Sequence, residues 1–266
     1  VEDIIKSIVL GILEGLTEFL PVSSTGHLIL AGDLMNFEGP TADTFKVVIQ
    51  FGAVLAVLLL YWRRFWEILM DAVRLRFAER GRLNATHLLL GLLPAGALGV
   101  IFHDFIKSLF SPGMVVASLV LGGILMIVAE HAGRRVTSEQ TDDITYAQAL
   151  GIGAFQILAL WPGFSRSGST ISGGLLLGVS KKAAADFTFI ISVPIMLGAS
   201  ALDLYESRDL LTADNLTLML IGFIAAFIVA MLAVVTFLKV IKRLSLTWFA
   251  VYRFAIAILF YLIVLR

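Results

Sequence analysis

Six long apolar blocks, at 43–62, 84–102, 112–130, 185–202, 216–238 and 247–265, set the rhythm of this sequence. Each comes near the roughly 20 residues that an α-helix needs to cross hydrocarbon. Several end in interfacial residues, as in LLLYWRRFW, where Trp62 and Trp66 stand beside Arg63 and Arg64. Two further apolar regions break the pattern: residues 3–37 are interrupted by PVSSTG and residues 146–179 by WPGFSRSGST. Each predicts two short helices joined by a polar break, which membrane depth tolerates only where protein or a wet cavity surrounds it.

The two broken regions superpose. Gly11, Glu14, Gly26 and Phe45 match Gly153, Gln156, Gly168 and Phe187 at a constant offset of 142, with Pro21 and Pro162 one residue out of step. This predicts a duplication, 1–130 and 143–266, within a single membrane domain 1–266. Basic clusters then orient it. The stretch 63–82, read as a loop, carries six arginines; Arg134 and Arg135, Lys181 and Lys182, and Lys239, Lys242 and Arg243 flank other spans. With all four clusters cytoplasmic, 43–62 runs inward and its counterpart 185–202 outward, so the repeats are inverted and 3–37 and 146–179 are re-entrant hairpins. Both termini and the loops 103–111 and 203–215 fall outside. The expected fold is an all-α polytopic membrane protein with an inverted-topology internal repeat, six full transmembrane helices plus two re-entrant helical hairpins, and breaks facing each other near the midplane.

Composition agrees with lipid as the solvent: 59% of the 266 residues are hydrophobic and only 15% are charged, against about a quarter in soluble domains. Zero net charge gives no support for a nucleic-acid partner. The absence of cysteine removes disulfides and thiolate metal sites. Acidic Glu2 and Asp3 stand where a signal peptide has its basic region, so a mature N-terminus is expected.

Polar chemistry concentrates at the breaks. Glu14 and Glu18, four residues apart on a helix, share one face at about 6 Å, and need a cation, a shared proton or an arginine to coexist. Ser23 or Ser24 is positioned to cap the helix that follows, with Thr25 and Gly26 in its first turn. At the second break Ser165, Ser167, Ser169 and Thr170 supply hydroxyls, while Gly163 and Gly168 let backbone approach a ligand. Helix N-termini aimed at a cavity form an anion site, and Arg166 adds a fork suited to phosphate or carboxylate oxygens. His27 has company that suits a proton carrier or nucleophile, whereas His87, His103 and His131 are read as structural. Gly122 and Gly123 are read as a helix-packing pair, and they or the aromatic C-terminal span are candidates for a homodimer contact. Hard oxygen donors point to Mg²⁺ or Ca²⁺. Spacing alone therefore leads to a membrane-embedded site for a phosphate or other anion, catalytic or transporting, and a phosphorylated lipid suits it.

The stretches EGLTEFLPVSSTGH at 14–27 and PGFSRSGST at 162–170 resemble the two signatures of the bacterial undecaprenyl-diphosphate phosphatases, also called bacitracin resistance proteins. The resemblance covers the whole chain. It implies hydrolysis of the lipid carrier's diphosphate to the monophosphate in the bacterial plasma (inner) membrane, recycling the carrier for envelope polymers, with an active site opening to the periplasmic or outer face. It maps the important residues onto Glu14, Glu18, Ser24, His27, Ser165, Arg166 and Thr170. Glu14, Glu18, Ser24, His27 and Arg166 are expected to be catalytic. Ser23, Thr25, Gly26, Gly163, Ser165, Ser167, Gly168 and Thr170 are expected to bind the polyprenyl diphosphate, and Glu14 and Glu18 to hold the divalent cation. Two schemes stay open: covalent attack by Ser24 or His27, or direct attack by Glu-activated water. Lipid transport is the alternative, because inverted repeats with broken helices are also transporter architecture.

Overall fold

The computed structural model describes residues 2–76, 81–210 and 212–265. These form twelve α-helices: α1 Glu2–Thr17, α2 Ser24–Leu34, α3 Pro40–Leu60, α4 Trp62–Val73, α5 Ala85–Ile101, α6 His103–Ser108, α7 Pro112–Ala132, α8 Tyr146–Gln156, α9 Arg166–Leu176, α10 Lys181–Glu206, α11 Ala213–Val240 and α12 Leu246–Val264. Local chemistry sets the starts. Pro40 and Pro112 open α3 and α7, where a missing N–H costs nothing. Side chains of Asn84, Thr145, Ser180 and Ser245 cap α5, α8, α10 and α12. Extended pairing among the described residues is limited to one bridge, Ser138 with Val179.

Among the described residues five helices are long and apolar enough to cross a membrane: Pro40–Leu60, Pro112–Ala132, Lys181–Glu206, Asn215–Val240 and Leu246–Val264. The block at 84–102 gives α5, which is shorter at 17 residues because Asn84 becomes its cap and Phe102 its C-terminal end. The chain is therefore an all-α, polytopic membrane-helical protein.

The arginine-rich stretch 63–82, expected as a loop, opens as helix. In α4 the side chains of Trp62, Trp66, Leu69 and Val73 recur at helical spacing and form one exposed apolar face, with the two indoles stacked at 5.6 Å. Such a face suits a helix lying in the membrane interface. On its other side Arg64 bonds Asp142, and Arg82 reaches Glu67 at 3.3 Å and Asp71 at 3.4 Å. Arg80, counted in this basic cluster, lies outside the described residues.

Small residues let the helices approach. α1 packs on α11, α3 on α11 and α10, α5 on α8, and α7 on α12. Gly11 and Gly15 of α1 abut the carbonyls of Gly222 and Ala226 in α11. Gly122 and Gly123 of α7 face Arg253 and the Phe254 ring of α12 in the same chain. That pair is thus occupied inside the molecule rather than offered to a second copy. One core includes Phe19, Val54, Phe187 and Phe189, with Phe19 and Phe189 edge to face at 5.5 Å, and takes in Ile171 and Leu175 of α9.

Candidate active site

Each break is shaped by a serine. Ser23 and Ser165 hold φ of 73° and 74°, a region that side-chain-bearing residues rarely enter. Their hydroxyls accept the N–H of Gly26 at 3.3 Å and of Gly168 at 3.2 Å, capping α2 and α9. The turn strain, on the order of 1–3 kcal/mol per residue, persists because surrounding structure fixes it. With Ser23 as the cap, Ser24 is released to the cavity as the first residue of α2.

The released hydroxyl meets the first of two carboxylates. Ser24 Oγ donates to Glu18 Oε2 at 2.5 Å, and Arg166 Nη2 donates to Glu18 Oε1 at 2.8 Å. Glu18 therefore joins the hydroxyl of the first break to the guanidinium of the second. Arg166 Cζ also lies over the Phe19 ring, 5.8 Å from its centroid. Glu14, one turn earlier, is 1% exposed, and among the described residues its Oε2 has no hydrogen-bond partner.

Two adjoining lobes form the cleft. One, of about 290 Å³, is lined by residues of both breaks, including Glu18, Ser23, Ser165, Gly163 and Arg166. The other, of about 400 Å³, is lined by Glu14 and Lys46 and by the apolar Leu28, Ile29, Val47 and Val115. Ser24, Thr25, Gln50 and Phe110 line both. Both α2 and α9 thus begin at one cavity, with first-turn N–H groups that have no intrahelical acceptor. An anion there meets two positive helix ends and Arg166.

The remaining expected residues divide. Ser167 donates to the Leu20 carbonyl at 2.9 Å, tying one break to the other. Thr170, fully buried, donates to the Arg166 carbonyl at 2.8 Å and accepts from Thr188 at 2.8 Å, bracing the first turn of α9. Gly26 and Gly168 offer their N–H groups to the caps. None of these four lines the cleft. His27 sits behind it too: Nδ1 donates to the Ser23 carbonyl at 2.7 Å, which in a neutral ring leaves Nε2 to accept the Tyr252 hydroxyl at 2.7 Å. The two rings stack at 5.6 Å.

Several residues here escaped sequence reasoning. Lys46 and Gln50 of α3 look like ordinary span residues until the fold brings them to the cleft. Gln156 has a buried Oε1 without a partner among the described residues, as Glu14 has. Tyr252 and Arg253 did carry a signal, because Arg253 interrupts the apolar run LTWFAVYRFAIAILF and an ionisable residue inside a span is a functional candidate by default. The family model described as BacA, bacitracin resistance protein BacA, matches residues 7–259 of this chain.

Proposed function

From the premise that the chain belongs to the bacitracin resistance protein family and is an undecaprenyl-diphosphate phosphatase that recycles the lipid carrier, we propose that hydrolysis takes place in the cleft between the two breaks. The observation that carries this reading is Glu18, bonded at once to Ser24 and to Arg166. In this reading Ser24 is the nucleophile, Glu18 its base and Arg166 the anchor of the terminal phosphate. Arg166 and the first-turn N–H groups of α2 and α9 hold the equatorial oxygens, whose charge shifts in the transition state. Ser24 Oγ bonds to the terminal phosphorus as its proton passes to Glu18 and the bridging P–O bond breaks. The proton then goes to the departing undecaprenyl phosphate. Water attacks the phosphoserine with Glu18 again as base, the proton returns to Ser24 Oγ, and orthophosphate leaves. Positioning and electrostatics supply the acceleration, and the covalent intermediate splits one barrier into two. His27 acts from behind, holding the Ser23 carbonyl and with it the capped turn.

A divalent cation, Mg²⁺ or Ca²⁺, fits the donor set in part. Glu14 has a buried free oxygen and Glu18 lies one turn away, while among the described residues no group of three His, Cys, Asp or Glu side chains could complete a cage. Glu14, assisted by Glu18, would hold the ion, with substrate oxygens and water filling the shell as Mg²⁺ prefers. Bound there, it would neutralise phosphate charge.

The architecture in this proposal has six spans, with α5 as the sixth, and two re-entrant hairpins, α1–α2 and α8–α9, in inverted repeats. Helix contacts pair off as that symmetry requires: α1 on α11 as α8 on α5, and α12 on α2 as α7 on α9. The rim residues Asp43, Lys46, Ser111 and Pro112 stand at the ends of α3 and α7 opposite the arginine clusters, which supports a cleft opening to the outer face. Its apolar wall leaves a place for the first isoprene units.

The test is orthophosphate release from undecaprenyl diphosphate by purified protein, chelated and then resupplied with Mg²⁺ or Ca²⁺. Metal-dependent release that Arg166→Ala abolishes supports the site. Full turnover in Arg166→Ala removes it.

A further inference from the structure

The most unusual charge in the molecule is Arg253. It stands in the middle of α12, is fully buried, and has none of the usual compensation. Nε donates to the Leu119 carbonyl at 3.1 Å, and Nη2 to the carbonyls of Ser118 and Gly163, both at 3.0 Å. All three acceptors are neutral backbone. Among the described residues Arg253 forms no ion pair, and Nη1 has no hydrogen-bond partner at all. Gly122 makes the room: a methyl group there would collide with Nη2.

A guanidinium without a carboxylate at membrane depth is costly, so its location is informative. Gly163 lies in the turn that leads to the α9 cap, and its peptide is gripped at both ends, since the Phe164 N–H donates to the Trp161 carbonyl at 3.1 Å. The unpartnered Nη1 lies against the first turn of α9, 3.5 Å from where a Cβ at Gly168 would be, beside the Ser165 cap. Arg253 therefore sits directly behind the turn that presents Arg166 to the cleft.

Charge balance says what it does there. Before a divalent cation binds, the cleft lining carries three carboxylates, Glu14, Glu18 and Asp43, against Lys46 and the Arg166 guanidinium. That set alone is net negative, the wrong sign for a diphosphate in a site where little water screens it. We infer that Arg253 is a positioning residue for the reaction: it supplies from behind the turn the positive charge that makes the cleft receptive to a diphosphate, and it pins the Gly163 carbonyl so that the α9 N-terminus stays aimed at the substrate. The charge is left without a carboxylate because a partner would cancel the field it provides. This rests on the cleft being the phosphate site, as proposed above.

Two substitutions separate the charge from the packing. Arg253→Met removes the charge while roughly filling the space. Arg253→Lys keeps the charge but cannot reach three carbonyls. Both are assayed with Arg166→Ala, and rates are corrected for the folded fraction from thermal unfolding in the same detergent. The expected result is a KM for undecaprenyl diphosphate raised about tenfold or more in Arg253→Met. In Arg253→Lys, KM stays within about threefold of the parent while kcat falls, because the turn is less firmly held. If Arg253→Met does not fold, the lysine variant alone decides, since a purely structural arginine gives no reason for KM to be spared. A KM that stays at the parent value in Arg253→Met, or rises in Arg253→Lys as much as kcat falls, overturns the assignment. Activity in Arg166→Ala would instead overturn the underlying site, so the two failures are distinguishable.

Discussion

The two breaks have nearly the same backbone and opposite chemistry. Ser23 and Ser165 share φ within a degree, each caps the N–H three residues on, and each is followed by an 11-residue helix. Yet the residue after the cap is Ser24 in one and Arg166 in the other. At the same offset Glu14 faces Gln156 across the comparison, and Glu18 faces Leu160. One break carries the hydroxyl and both acids; the other carries the cation. A positive-φ serine turn that opens a helix onto a cavity gathers N–H groups there, and the molecule has this turn at both breaks, Ser23 and Ser165. In the proposed mechanism the charged groups are divided between the two breaks, so neither carries the full set alone. Substrate is held in that mechanism by one break and attacked from the other, with Glu18 bonded to Ser24 and Arg166 between them.

The largest effects should come from the groups that join the halves. Ser24→Ala, Glu18→Gln and Arg166→Ala are each expected to lower kcat by about a thousandfold or more, and the double variant of Glu18 and Arg166 to lose little beyond either single one, because members of one unit are not additive. Rates of orthophosphate release from the four proteins check this. Additive losses would mean that the pair does not act as a unit. A Ser24→Ala enzyme retaining more than about a tenth of parent kcat would shift the mechanism to direct attack by water.

Next come exchanges across the comparison. Glu14→Gln makes the first break resemble the second and is expected to lower the cation-stimulated rate about a hundredfold. Gln156→Glu adds a further carboxylate to the cleft wall and is expected to raise KM about tenfold by opposing the diphosphate. Measuring both at several Mg²⁺ concentrations separates the roles. If raising Mg²⁺ restores Glu14→Gln fully, Glu14 contributes ion affinity rather than alignment. A Gln156→Glu enzyme with unchanged KM would place that side chain outside the field of the phosphates.

Behind the first break, Tyr252→Phe removes one hydrogen bond to His27 but leaves the ring stack and the Nδ1 bond to Ser23. The expected loss in kcat is only about threefold, in keeping with a bond worth about 1 kcal/mol acting through the turn. His27→Ala, which frees the Ser23 carbonyl, should cost considerably more. Equal losses in the two variants would mean that the Tyr252 bond matters to the turn as much as the Nδ1 bond to Ser23.

Much of this was legible in the sequence. Apolar block length gave five of the six expected spans as long apolar helices, and polar interruptions with proline gave the breaks, because lipid leaves few structural options for such segments. The 142-residue offset brought Gly26 opposite Gly168, the two N–H groups that the caps satisfy. What spacing cannot express is side-chain direction inside a break. Ser23, Ser24, His27, Ser167 and Thr170 are all polar residues near a turn, and only the positive φ decides that Ser24 faces the cleft while Ser167 and Thr170 turn to carbonyls. Lys46 and Gln50 reach the site through packing of α3, which no local pattern encodes. The helical start of 63–82 was hidden by its arginines, although the Trp62, Trp66, Leu69 and Val73 spacing records it. Arg253 is different: a charged residue inside the apolar run 247–265 is a plain signal in the sequence itself.

The smallest effects test the device common to both breaks. Ordinarily glycine in place of a helical residue is worse than alanine by about 1 kcal/mol. At Ser23 and Ser165 the order should reverse. Alanine keeps the positive-φ strain that serine already carries and loses the cap, a penalty of about 1–2 kcal/mol relative to the parent. Glycine also loses the cap hydroxyl, but it relieves the strain, and glycine at a cap costs only a few tenths of a kcal/mol. Added freedom in the unfolded chain takes back about 0.4–1 kcal/mol, so the glycine variants should lie within about 1 kcal/mol of the parent and the alanine variants below them. Unfolding midpoints in detergent for the four single variants give the order directly. The same order at both positions would mean that the turns are one solution used twice. Reversal at Ser165 alone would mean that the first turn is held by its contacts, chiefly His27 on the Ser23 carbonyl, more than by its own cap.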